Sequence, residues 1–64
     1  MCESNVYIIK NGNEELYAKD IVHLSIQGDK IVLVNIIGKR YELTKATIAY
    51  IDFLKHKIVL KSIQ

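Results

Sequence analysis

The feature that most constrains this chain is its punctuation. Asn11-Gly12-Asn13, Gln27-Gly28-Asp29-Lys30 and Gly38-Lys39 are turn signals, and a fourth break falls at Leu54-Lys55-His56. Asn-Gly is a strong hairpin signal because both residues tolerate positive φ. The dense, regular spacing of these breaks suggests short strands. They are rich in Ile and Val, and the chain contains no proline. Short β-branched runs between regular turns predict an all-β fold of six or seven strands.

Alternation within the runs sharpens the assignment. Strand 1 is expected over Val6–Lys10 and a short strand 2 over Glu15–Ala18, with Lys19-Asp20 breaking the pattern. In strand 3, Ile21–Gln27, Val22, Leu24 and Ile26 alternate with His23 and Ser25. Strand 4, Ile31–Ile36, is apolar on both faces through Ile31-Val32-Leu33-Val34 and therefore reads as central. Arg40–Leu43, Ile48–Phe53 and Lys57–Leu60 supply strands 5 to 7. Thr44–Ala46 is compatible with either a helical turn or an irregular bend. Consecutive short strands joined by tight turns predict an antiparallel meander closing into a small SH3- or Sm-like barrel. Closure would also remove exposed strand edges.

Size adds a second constraint. Residues 1–64 make one domain, and a domain of this size buries only about 60% of the surface its unfolded chain exposes. The single cysteine cannot form an internal disulfide. Yet 22 residues are Ile, Leu or Val, more than a small lone core needs to hide. A homodimer is the expected outlet, two-fold pairing being the commonest assembly. The formal charge of +2 is scattered, and Lys55-His56-Lys57 with Lys61 is too small a basic cluster for a nucleic-acid surface. The start, Met-Cys-Glu-Ser-Asn, does not resemble a signal peptide. Apolar runs reach four residues, far from the roughly 20 of a membrane helix. The expected location is the cytoplasm, where a free thiol stays reduced.

Catalytic constellations are not visible, and no enzymatic activity is expected. No two carboxylates are spaced to share an obvious cleft. Asp52 lies within an apolar strand and reads as a solvent-facing or turn-bonded acid. His23 falls on a polar strand face and His56 in a basic turn, neither with a second His or Cys at ligand spacing. Gly12, Gly28 and Gly38 are single turn glycines, not a phosphate loop. The four tyrosines read as packing residues.

Cys2 differs because of its position. A thiol lies beside the chain's own amine, and both kinds of group lose a proton within reach of neutral pH. With Met1 removed, amine and sulfur belong to one residue and can close a five-membered chelate ring. Two such ends at a dimer axis would offer two nitrogens and two sulfurs. With Met1 retained, its amine, the amide nitrogens of Cys2 and Glu3 and the Cys2 sulfur form a planar set of donors. Both arrangements suit Ni(II) or Cu(II) better than tetrahedral Zn(II). The plain alternative is a frayed terminal cysteine with no role.

Several segments together resemble one family. Met1-Cys2-Glu3 runs into Val6-Tyr7-Ile8, Asp20-Ile21-Val22 leads into strand 3, and Gln27-Gly28-Asp29 forms a turn. The chain then ends Tyr50-Ile51-Asp52-Phe53-Leu54-Lys55-His56-Lys57-Ile58-Val59-Leu60 before its last residues. Over essentially its full length the chain resembles the CooT family, nickel-binding accessory proteins of carbon monoxide dehydrogenase maturation. The resemblance implies a small β-barrel homodimer that binds Ni(II) through Cys2 and the nitrogens around it, with Met1 and Glu3 in the site. It implies a nickel enzyme as client. Hydrogenase-maturation chaperones of the HypC type also begin Met-Cys but continue Ala-Ile-Pro-Gly, whereas here Glu3-Ser4-Asn5 follows. An Sm-like RNA-binding module is a third reading, which a basic groove lined with aromatics would support.

Overall fold

In a computed structural model, residues 2–63 are described, and they form six strands with no helix. β1 spans Ser4–Lys10, β2 Asn13–Gln27, β3 Lys30–Asn35, β4 Arg40–Thr44, β5 Ala46–Asp52 and β6 Lys57–Ser62. The sheet order is β4-β3-β2-β1-β6-β5. The breaks after Lys10, Gln27, Asn35 and Asp52 fall at the turns expected from sequence.

Three expectations need correction. The first is the break at Lys19-Asp20. The chain remains extended there, and strands 2 and 3 of the sequence reading are one 15-residue strand, β2. Asp20 adopts a left-handed conformation (φ 58°), and its N–H donates to Asn5 Oδ1 at 3.2 Å. An aspartate tolerates this geometry better than most residues, so a turn-like residue bends the strand without ending it. The first half of β2 pairs with β1 and the second half with β3.

The second is the barrel. β4 and β5 are the two outermost strands, and the sheet does not close. Lys45 alone joins them, in a left-handed corner (φ 53°). A tight hairpin commonly needs a two-residue loop, so a one-residue link turns the chain away from a β4–β5 pairing. β5 instead pairs with β6, and β6 pairs with β1 in parallel, so the sheet is mixed and not a purely antiparallel meander.

The third is the place of Ile31–Val34. Ile31, Val32 and Leu33 are buried as their pattern predicts, but β3 is next to an edge, not central. Ile31 and Leu33 join the core with Val6, Ala18, Ile21 and Leu60. Val32 is buried on the opposite face, across from Glu42, whose carboxylate pairs with Lys30 and Arg40. The aliphatic stems of such long side chains can shield a small apolar residue.

A bulge decides which apolar residues of β2 face inward. Ile21 pairs with Asn35 and His23 with Val34, leaving Val22 as an extra residue. Ile21 is therefore buried, while Val22 is exposed. Leu24 packs against the core, and Ile26 near the end of β2 is exposed. On the inner face Tyr17 and Tyr41 meet edge to face with ring centroids 5.6 Å apart, the geometry that aromatic quadrupoles favour. Burial raises the pKa of the Tyr17 hydroxyl, with the nearby Tyr41 adding to it.

Candidate functional site

The parallel β1–β6 pairing creates the site. It sets Asn5 beside Lys57, and Asn5 N–H donates to the His56 carbonyl at 2.9 Å. The residues just before β1 are thereby carried to the β5–β6 turn, about fifty positions away in sequence. Cys2 is exposed and lines a cleft of about 410 Å³ with Ser4, Ile51, Asp52, Phe53, His56 and Ile58. Glu3 is half-buried beside it. Met1, the third residue expected to take part, lies outside the described residues.

The turn is rigidly specified. Asp52 Oδ1 accepts from the Lys55 N–H at 3.1 Å, and His56 N–H donates to the Phe53 carbonyl at 3.3 Å. His56 takes a left-handed conformation (φ 50°) to complete it. Asp52 is thus the turn-bonded acid that one of its two sequence readings allowed. Holding the backbone this way leaves Phe53 and Leu54 outermost, 81% and 95% exposed. Phe53 is one of the residues that line the cleft, and Leu54 follows it at the turn.

Sequence reasoning missed that His56, Asp52 and Phe53 share a cleft with Cys2. No local pattern encodes it, because it rests on a pairing between the two ends of the chain. His23, by contrast, lies exposed on β2 opposite Val34 and is not among the residues that line this cleft. Among the described residues no three His, Cys, Asp or Glu side chains are grouped to hold a metal ion.

The outer face of the same strands carries a second polar cluster. Lys57 Nζ lies 2.5 Å from Glu14 Oε1, and the Tyr50 hydroxyl donates to Glu14 Oε2 at 2.5 Å. The Lys57 ammonium also stands 5.0 Å from the Tyr7 ring centroid, within cation–π range. The hydrogen bond from Lys57, followed by that from Tyr50, lowers the Glu14 pKa. The hydrogen bond to Glu14 raises the pKa of both Lys57 and Tyr50. Val59, opposite both Tyr7 and Tyr50, is fully buried beneath this cluster.

Comparison with known proteins agrees with this architecture. The profile of the family described as "CO dehydrogenase accessory protein CooT" matches residues 1–61. The chain belongs to the CooT family. Membership carries an accessory role toward CO dehydrogenase. The chain is also similar to a crystal structure provisionally assigned as CooT from Carboxydothermus hydrogenoformans. The two share 30% sequence identity with a TM-score of 0.86, covering 95% of this chain and 97% of that one. No curated protein matches the chain.

Proposed function

We propose that this chain is a single nickel-binding domain that holds Ni(II) as cargo for the maturation of a nickel enzyme, carbon monoxide dehydrogenase or one similar to it. The Cys2 thiolate is the anchoring ligand. The Met1 amine and the main-chain nitrogens of Cys2 and Glu3 complete the donor set if Met1 is retained. If Met1 is removed, the Cys2 amine and sulfur chelate together. The protein works as a cytoplasmic homodimer without catalytic turnover. The observation that carries this reading is the exposure of Cys2 at the mouth of an apolar cleft, in a family tied to CO dehydrogenase. A cargo ligand has to be reached by the acceptor, and an exposed thiol can be.

Several features support it. A thiolate with planar nitrogens suits Ni(II). The turn beside Cys2 is locked by Asp52 and His56 main-chain bonds, so the cleft wall is preformed. Metal binding requires loss of the thiol proton, so affinity should fall as pH falls. The test is a nickel titration of protein with its native N-terminus, since an added tag removes the amine. Thiolate-to-nickel absorption should appear with bound metal. Tight binding by a Cys2→Ser protein would overturn the assignment.

A further inference from the structure

The turn between β3 and β4 is firmly held, yet it presents apolar side chains to solvent. Asn35 is its hub. The Asn35 N–H donates to the Lys39 carbonyl, and the Asn35 carbonyl accepts from the Gly38 N–H, both at 2.9 Å. Asn35 Oδ1 accepts from the N–H groups of Ile37 and Lys39 at 3.1 and 2.8 Å. The Ile36 N–H donates to the Asp20 carbonyl at 2.9 Å, which fastens the turn to the bend in β2. Hydrogen bonds thus fix the main chain, while Ile36 stays 46% and Ile37 84% exposed. Val22, the extra residue of the bulge next to the Ile21–Asn35 pair, is 51% exposed. Scattered apolar residues at a surface are ordinary. Three gathered at one end of a small sheet, on a main chain that cannot fold them away, mark an interaction surface.

This end of the sheet is also the Cys2 end. Ser4, Ile21 and Asn35 pair in succession across β1, β2 and β3, and Ser4 lines the Cys2 cleft. Asn35 therefore lies two strand spacings, about 10 Å, from the cleft lining. The charged residues of segments 19–23 and 35–40 are Lys19, Asp20, Lys39 and Arg40. Arg40 is paired with Glu42, whereas Lys19 and Lys39 are exposed and form no ion pair among the described residues. We infer that the β3–β4 turn and the β2 bulge dock the enzyme this protein serves, through an acidic segment that carries an exposed aliphatic or aromatic side chain. That side chain would settle on Ile36, Ile37 and Val22, and its flanking carboxylates would meet Lys39 and Lys19. A two-fold contact between copies brings the same patch together, and here it would set these lysines against their own kind. The charge therefore favours a different, acidic chain. The inference rests on the accessory role toward CO dehydrogenase and deepens the delivery reading, because an enzyme held at this turn has Cys2 within reach.

Binding of the native protein to purified, nickel-free CO dehydrogenase of the same organism, read by biolayer interferometry, tests this. Affinity should fall with added salt, as for any contact steered by exposed charge. Ile37→Ser should weaken it at least about tenfold, the loss expected when a buried aliphatic contact goes. Lys39→Glu should weaken it by a similar factor, since it sets a carboxylate against an acidic segment. Ile26→Ser is the control. Ile26 is 62% exposed but pairs with Ile31, at the other end of β3, and its loss should change affinity less than about twofold. Amide NMR spectra check the fold of each variant. If native protein does not bind the enzyme, or Ile37→Ser and Lys39→Glu bind it as native protein does, the docking surface is wrong. Equal weakening by Ile26→Ser has the same meaning. If Ile37→Ser instead lowers self-association by sedimentation equilibrium, the turn is a contact between copies and the inference is overturned. Nickel titration reads the Cys2 site separately, and both turn variants should bind nickel as native protein does. Native protein that binds the enzyme through this turn but takes up no nickel would remove the cargo reading and leave the surface standing.

Discussion

Two faces of the same strands, β5 and β6, have been used in opposite ways. On the outer face Glu14, Tyr50, Lys57 and Tyr7 answer one another, tying the β1–β2 hairpin to the edge strand and sealing Val59. On the inner side at the turn, Cys2 and Phe53 are left exposed around a cleft. One face spends its chemistry on itself, and the other keeps it available. A small open sheet has little core with which to hold a strand edge, so the outer cluster gives β5 and β6 a fixed position. The cleft can then stay open without the strands that form it coming apart.

The comparison breaks most visibly in the core that both faces share. Leu33 is fully buried, and Leu33→Ala should cost about 2–5 kcal/mol of stability. In a chain of this size that is a large share of the total. Urea unfolding should show a much lower midpoint, and nickel binding should be lost only as the fold is lost.

Cys2→Ser separates the faces cleanly. Nickel affinity should fall at least about 100-fold, the loss expected when the anchoring ligand goes. The urea midpoint should stay within error of the native protein, because Cys2 precedes β1 and contributes nothing to the core. An unchanged affinity would show that the exposed face does not use its thiol. A shifted midpoint would show that the two faces are not independent.

Glu14→Gln sharpens the contrast from the other side. It should lower stability modestly, since exposed ion pairs contribute little, and leave nickel binding unchanged. The pH dependence has a definite sign. The folded-state pKa of Glu14 is lowered, so its contribution is present above the ordinary carboxyl range and lost as pH falls through the lowered value. The pKa values of Lys57 and Tyr50 are raised, so their contributions hold below their ordinary ranges and are lost as pH rises through the raised values. Thermal melts of native and variant protein should therefore converge in acid and differ most near neutrality. Equal melting at every pH would mean that the cluster holds nothing.

The smallest effect is expected at His56. Its main chain closes the turn, and its side chain lines the cleft beside Cys2. His56→Ala should change nickel affinity by less than about threefold, or under 0.7 kcal/mol. A larger loss would make the imidazole a ligand and the cleft a more complete site than Cys2 with its neighbouring nitrogens.

Local chemistry alone settled the strands and most of their ends. Apolar and β-branched runs identified β1, β3, β4 and β6, and the Asn11-Gly12, Gly28-Asp29 and Gly38-Lys39 turns bounded them, because these signals act over a few residues. The same reasoning singled out Cys2 from its position next to the amine. What it could not reach were effects that depend on distant partners. Asp20 looks like a break, yet Asn5 holds it inside a continuous β2. Val22 fits the apolar alternation, yet a bulge turns it outward and Ile21 inward. The single-residue corner at Lys45 leaves the sheet open, although the strand pattern reads equally well as a closed barrel. Above all, the parallel pairing of β1 with β6 brings Cys2 to Phe53 and His56. Turn and strand preferences are local and can be read along the chain. The neighbours of Cys2 follow from a pairing between its two ends, which only the packed structure decides.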